Sequence, residues 1–157
     1  MSRELKFDLI YKGETGFHHK KYFLETLMCG IKSICDIHEM MELIATRQYT
    51  GLKDKNSAEI YEGDILEHIG SGECAIQSNP YGGPIRSYKG QRFVVVSGAG
   101  GFLGRHVEGF VPGKNQAPNL IAGGWKIIEP YDLWNHQRWN VVIGNIHENP
   151  ELLEVKS

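Results

Sequence analysis

Short apolar runs divided by glycine-rich turns, from residue 49 almost to the C-terminus, constrain this chain more than any other feature. Ile65–Ile69, Cys74–Ser78, Arg92–Ser97, Trp125–Ile128 and Trp139–Ile146 each read as a strand bounded by turn residues, and Ile60–Tyr61 as a short extended piece. Most of the 19 glycines fall between residues 63 and 144, so these runs are cut by backbone that bends readily. Strands this short and closely spaced favour a small antiparallel barrel or sandwich over an alternating strand–helix fold. The length of 157 residues is that of one domain, and 41% hydrophobic with 23% charged residues supports a core and excludes global disorder. The longest apolar stretches, such as Phe93–Val96, are too short for a membrane-spanning helix. We read residues 1–157 as a single domain, with strands and a helix over 1–48 and a β-rich barrel portion over 49–157.

In the N-terminal part, Leu5, Phe7, Leu9 and Tyr11 alternate with Lys6 and Asp8, the period of a half-buried strand. Gly13 and Gly16 mark a turn, and Tyr22–Met28 reads as a second strand. Residues 36–46 carry the one clear helical pattern, with Ile37, Met40, Met41 and Ile44 on one face. Asp36 and Glu39 have the spacing of a capping box, and the methionines read as core. The stretch from Gly98 to Gly124 is dense in glycine and reads as a long hairpin or loop region.

The first residues, Met-Ser-Arg-Glu-Leu-Lys-Phe-Asp, place charges where a secretory signal has an apolar run. Three cysteines, Cys29, Cys35 and Cys74, suit free thiols in a reducing cytoplasm better than a disulfide framework. Cys35, Asp36 and His38 are close in sequence, but no second ligand pair follows, so no metal is expected. His18-His19-Lys20-Lys21 reads as a solvated loop or strand end.

Val94-Val95-Val96-Ser-Gly98-Ala-Gly-Gly101-Phe-Leu-Gly104 imitates the dinucleotide fingerprint of dehydrogenases, and Tyr49 with Lys53 imitates their acid–base pair. The fingerprint needs a helix directly after it, whereas Gly109 and Pro112-Gly113 would stop one within about two turns. Only 53 residues follow Gly104, too few to complete a doubly wound sheet. Gly98–Gly104 therefore reads as a strand end and a glycine-rich turn, and no cofactor is expected.

Two segments identify the chain more sharply. In the first, Asp54-Lys-Asn-Ser57 is polar turn chemistry, and Glu62-Gly63-Asp64 is a tight turn launching the strand from Ile65. In the second, a strand through Val141-Val-Ile143 leads to Asn149 as N-cap and Pro150 as the first residue of a short C-terminal helical turn. Gln48-Tyr-Thr-Gly-Leu-Lys-Asp-Lys-Asn with Glu59-Ile-Tyr-Glu-Gly-Asp-Ile, and Val142-Ile-Gly-Asn-Ile-His-Glu-Asn-Pro-Glu-Leu-Leu153, resemble the YopX-like family of bacteriophage and prophage proteins. The charged start Arg3-Glu-Leu-Lys-Phe fits the same family, while Ser57 stands where its members often have Gly. The resemblance implies a mainly β (α+β) fold with an SH3-like antiparallel barrel in a phage-encoded cytoplasmic protein, and it brings no activity with it. The matching positions Tyr49, Thr50, Gly51, Leu52, Asp54, Glu62, Gly63, Asp64, Gly144, Asn145, Glu148, Asn149 and Pro150 are read as specifying the fold.

Asp54, Glu59, Glu62, Asp64 and Glu67 crowd five carboxylates together, but turn bonding by the aspartates and solvation of the glutamates account for them. No Ser or Cys has a His at a recognisable catalytic spacing. The expectation is a non-enzymatic accessory protein that contacts a host or phage protein, as a monomer or homo-oligomer. Tyr131, Trp134 and Trp139, in and beside the Pro130–Arg138 segment, are the candidate partner surface, with Trp125 and Tyr88 as further aromatic candidates. The alternative is a nucleic-acid-associated small barrel. A net charge of −2 gives no general attraction to phosphate, so that reading needs Lys12, Lys20, Lys21, Arg86, Lys89, Arg92 and Arg105 gathered by the fold. A hydrolytic or nicotinamide-dependent enzyme comes last.

Overall fold

The computed structural model describes residues 5–28, 41–69, 90–98, 101–107 and 133–154. The chain begins with a hairpin. Strands β1 (Lys6–Gly13) and β2 (Gly16–Phe23) pair in antiparallel register from Lys6–Phe23 to Gly13–Gly16, across a two-residue turn. Gly16 has a φ of +120°, a conformation open to glycine and rarely to other residues. This turn sets where β2 runs. It is already in place at Gly16, and it ends at Phe23, where the Leu24 N–H donates to Leu5 O and the one-turn helix α1 (Leu24–Met28) begins. The strand expected over Tyr22–Met28 is thus displaced toward the N-terminus: β2 is written in polar residues, His18 to Lys21, which hide it.

The expected helix over 36–46 is also corrected. Residues 42–46 belong to a twelve-residue strand, β3 (Glu42–Lys53), antiparallel to β1 from Phe7–Gln48 to Lys12–Glu42, with a bulge at Ile10/Tyr11. Pairing with β1 from Phe7 to Lys12 overrides a helical spacing of apolar residues in which Ile44, β-branched, favours the strand. The remainder of that expectation, residues 36–40, lies outside the described residues, as do the proposed strands at 74–78 and 125–128 and all three cysteines.

Strand β4 (Glu59–Tyr61) completes a four-stranded antiparallel sheet of order β2-β1-β3-β4. A second antiparallel sheet, β7-β6-β5-β8, is built from β5 (Asp64–His68), β6 (Arg92–Gly98), β7 (Gly101–His106) and β8 (Asn140–Asn145). The glycines of the dinucleotide-like segment join β6 to β7 in a hairpin with Gly98 opposite Gly101, so a strand occupies the place of the helix that a dinucleotide would need. The fold is mainly β, and among the described residues helical structure comes in single turns and the two sheets do not close into a barrel.

Apolar residues dominate both faces of the inner strands of the second sheet. Leu66, Phe93 and Val95 pack with Leu52, Ile60 and Leu133 on one side. Ile65 and Val94 pack with Val107 on the other, against Ile146 just after the last strand and Leu152 and Leu153 of the C-terminal turn. Two-sided burial explains why Phe93-Val-Val-Val96 is continuous rather than alternating. Glu62 and Gly63 form the corner between the sheets: Glu62 N–H donates to Gln48 O, Gly63 N–H to Val95 O, and Gly63 O accepts Ile146 N–H. Gly63 has a φ of +83°, which makes this corner possible.

Candidate functional site

The face of the first sheet formed by Lys6, Asp8 and Ile10 on β1 also carries Lys21 and His19 on β2 and Arg47 on β3, by register. Arg47 lies directly opposite Asp8. Its guanidinium forks: Nη2 donates to Asp8 Oδ2 at 2.5 Å, and Nη1 donates to Asp64 Oδ1 on the second sheet. The three side chains are 7%, 1% and 5% exposed, so this is a buried ion triad joining the two sheets. The Tyr61 ring lies 5.4 Å from the Arg47 guanidinium carbon and adds a cation–π contact. Asp8 Oδ1 and Arg47 Nε have no hydrogen-bond partner.

The triad extends to the surface through His19. Its Nδ1 lies 2.9 Å from Asp8 Oδ2 and its Nε2 3.0 Å from Glu148 Oε2. Glu148 is held in turn by Asn145, whose Nδ2 donates to the same oxygen, while Asn145 Oδ1 accepts the N–H groups of His147 and Glu148. Burial pushes the Asp64 carboxyl up to about 6, against the Arg47 charge and the Tyr61 N–H, which favour the carboxylate. Burial works to lower the pKa of Arg47, but Asp64 and Asp8 outweigh it and hold the guanidinium charged. Burial likewise opposes the charge on His19, and its two carboxylate partners raise its pKa above 6.5 nevertheless. His147 moves the other way, lowered by burial and by Arg47.

A second charged cluster lies further along the same face. Glu59 accepts from Lys6 at 2.5 Å, from Lys21 at 2.9 Å and from the Tyr61 hydroxyl at 2.8 Å. Burial opposes its charge, but these three donors bring its pKa from 4.5 down to about 2. Tyr61, whose ring lies tilted against that of Tyr49 with centroids 5.5 Å apart, has its pKa raised by burial and by Glu59. Glu59 is therefore not the solvated residue its sequence position suggests.

The two motif segments meet. Asp54 Oδ1 accepts the N–H groups of Asn56 and Ala58, closing the turn, and its Oδ2 accepts the Val142 N–H from β8 at 3.0 Å. Asp64 Oδ2 accepts the Tyr61 N–H at 2.7 Å. Thr50 Oγ1 donates to Ile60 O, Gly51 takes a φ of +83° at the irregular β3–β4 pairing, and Leu52 and Tyr49 are buried. Asp64 pairs with Asn145 and Ile65 with Gly144 in the β5–β8 ladder. A Cβ on Gly144 would lie 2.5 Å from Asn149 Oδ1 and 2.9 Å from Leu152 Cδ1. Asn149 stands before the 3₁₀ turn Pro150–Leu153, with Pro150 at its start, but its side chain does not cap that turn: Oδ1 accepts the Asn145 N–H instead. Glu62 accepts from Ser97 Oγ.

Of the aromatic candidates, Trp134 is 70% exposed on the one-turn helix Leu133–His136, next to Leu133, which is 1% exposed in the core. Trp139 is half-buried, and its carbonyl accepts the Ile69 N–H; Tyr131, Trp125 and Tyr88 lie outside the described residues. Among the described basic residues, Lys21 is engaged by Glu59 and Arg92 lies 3.7 Å from Glu67, with Lys12 and Lys20 on the first sheet and Arg105 on the second. Among the described residues no His, Cys, Asp or Glu group is arranged to hold a metal ion, and no helix is long and apolar enough to cross a membrane.

Asp8, His19 and Arg47 escape a reading of the sequence because their partnership depends on register. Asp8 reads as the solvent side of an alternating strand, yet Asp8 to Tyr11 are all buried. The one available signal is Arg47 itself, a charge set directly before the motif beginning at Gln48.

With that geometry in hand, comparison with known proteins is informative chiefly at the level of family. Among curated proteins none matches the chain. Among solved structures, the crystal structure of protein EF1440 from Enterococcus faecalis resembles it with a TM-score of 0.37 and 24% identity, over 94% of this chain and 76% of that one. The family model described as YopX protein matches residues 8–154, and the chain belongs to that family.

Proposed function

We propose that this YopX family member is a non-enzymatic binding module that contacts another protein through the short helical segment before β8. The observation that carries the reading is the contrast between neighbours in Leu133–His136: Leu133 is anchored in the core while Trp134 is 70% exposed. A large aromatic side chain held out by a buried neighbour has limited conformational freedom to lose on binding, which is the character of an interface hot spot. The aspartates of the first motif segment support the same reading, because Asp54 and Asp64 bond backbone N–H groups and the Arg47 guanidinium, occupations that stabilise the fold. Its setting, by the character of the family motifs, is the cytoplasm of a bacterium carrying a phage or prophage.

The test is capture from host lysate by tagged wild-type protein and by Trp134→Ala, each with and without nuclease. The reading expects a stoichiometric protein that survives nuclease and is lost from Trp134→Ala. An unchanged set on Trp134→Ala overturns the assigned surface, and capture that disappears with nuclease overturns the protein-binding reading in favour of nucleic acid.

A further inference from the structure

His19 sits between two groups that can only accept hydrogen bonds when ionised. Asp8 Oδ2 faces Nδ1 at 2.9 Å and Glu148 Oε2 faces Nε2 at 3.0 Å. An imidazolium donates from both nitrogens, whereas neutral imidazole has one N–H and presents a lone pair on the other side. The surroundings reinforce the demand for a second positive charge. Asp8 from β1, Asp64 from β5 and Glu148 from the turn after β8 face Arg47 from β3 and His19 itself, so three carboxylates meet one guanidinium and one imidazole. His147, on the same turn as Glu148, is disfavoured as a cation by burial and by Arg47. On β2, Lys21 is engaged by Glu59, and His18 bonds Thr15.

We propose that His19 is a pH-operated clasp between the edge strand of the first sheet and the turn that follows the last strand of the second. As imidazolium it bonds Asp8 and Glu148 together; as neutral imidazole it keeps one partner and lets the other go. The partner released is Glu148. Asp8 is 1% exposed and gains nothing from water, while Glu148 is 21% exposed and can be hydrated where it stands. Asn145 continues to hold Glu148 from its own side, so opening frees the turn from β2 without unravelling the β5–β8 ladder. Because the two carboxylates raise the pKa of His19 above 6.5, the clasp is closed below that pH and opens as pH rises through the raised value.

The test is NMR of the intact chain between pH 5 and 9, following the His19 ring and amide exchange at Ile146 and Glu148. These amides are bonded to Gly63 O and Asn145 Oδ1 in the closed state. The wild type is expected to titrate at His19 above 6.5 and, after correction for intrinsic exchange, to lose about fivefold protection at Glu148 through that titration. Glu148→Gln should bring the His19 pKa down, and His19→Gln should make protection of the turn independent of pH. A His19 that titrates at or below 6.5, or a turn whose protection ignores the titration, overturns the clasp. Both variants lie at partly exposed positions, and a fold check by the β5–β8 amide shifts separates loss of the clasp from loss of structure.

Discussion

The triad at Arg47 and the cluster at Glu59 are built from the same ingredients on the same sheet face, and burial makes them different objects. Arg47, Asp8 and Asp64 are each under a tenth exposed, and removing Arg47 would leave both buried carboxylates without the cation they share. Lys6, Lys21 and Glu59 are 16%, 49% and 22% exposed, so water can replace what is lost. The two carboxylates also part in pKa: burial takes Asp64 up to about 6, while three donors overcome burial and bring Glu59 down to about 2. A buried ion group fixes which surfaces meet, at a large penalty for breaking it, whereas an exposed one adjusts stability modestly. The first holds the two sheets in one arrangement; the second tunes the edge of one sheet.

The sharpest way to break this contrast is Arg47→Met. It leaves Asp8 and Asp64 buried without their cation, and we expect a loss of about 3–5 kcal/mol in denaturant unfolding at pH 7. The loss should shrink toward acid pH, where the stranded Asp64 carboxyl takes up a proton. Lys21→Gln, in the exposed cluster, should lose no more than about 1 kcal/mol. Equal losses from the two variants would remove the distinction. Gly144→Ala comes next. Its methyl group would press on Asn149 and Leu152, and relief of that overlap should lower stability by about 1–3 kcal/mol. A neutral Gly144→Ala would show that the C-terminal turn can move away from β8 freely.

How much of this the sequence discloses follows from where each signal is local. β5 and β6 are legible because Ile65-Leu66 and Phe93–Val96 are apolar runs between turn residues. The corner at Gly63 and the turn accepted by Asp54 are legible for the same reason, since each carries a local bond, from the Tyr61 N–H to Asp64 and from the Asn56 and Ala58 N–H groups to Asp54. β2 is illegible because it is polar, and β3 is misread because its start sits in a segment with helical spacing that pairing with β1 overrides. The triad is illegible for a deeper reason. Asp8, Arg47 and Asp64 come from three strands, and only their register and the approach of two sheets bring them together. The motif aspartates could be assigned to turns, but the third hydrogen bond of Asp54, to Val142, spans 88 residues and has no local trace.

The two carboxylates sharpen the comparison in opposite pH windows. Glu59 is depressed from 4.5 to about 2, so its contribution is full above 4.5 and is lost as pH falls toward 2. Asp64 is raised from 3.8 to about 6, so its ionisation weighs against the fold as pH rises through that interval. Thermal unfolding of wild type and Glu59→Gln should therefore converge at acid pH and separate by up to about 1 kcal/mol above 4.5, a figure reduced for solvent exposure. The difference between wild type and Asp64→Asn should change between 3.8 and 6 with the opposite sign. Parallel curves through both windows would mean that neither environment acts on its carboxyl as described.

The smallest effect tests whether the turn leading into Glu59 is independent of both clusters. Ser57 has a φ of 67° and is the one described residue other than glycine with positive φ. A side chain there is held in the left-handed region at a cost of about 1 kcal/mol, part of which glycine returns through the greater freedom of its unfolded chain. Ser57→Gly should then raise stability by about 0.5 kcal/mol, since the bonds that close the turn, from the Asn56 and Ala58 N–H groups to Asp54 and from the Ser57 N–H to Asp54 O, need no serine side chain. Combined with Arg47→Met, the gain should add to the loss, because the turn shares no hydrogen-bond partner with the triad. Non-additivity beyond about 0.5 kcal/mol would show that the β3–β4 turn transmits strain into the triad, and the two regions would have to be treated as one.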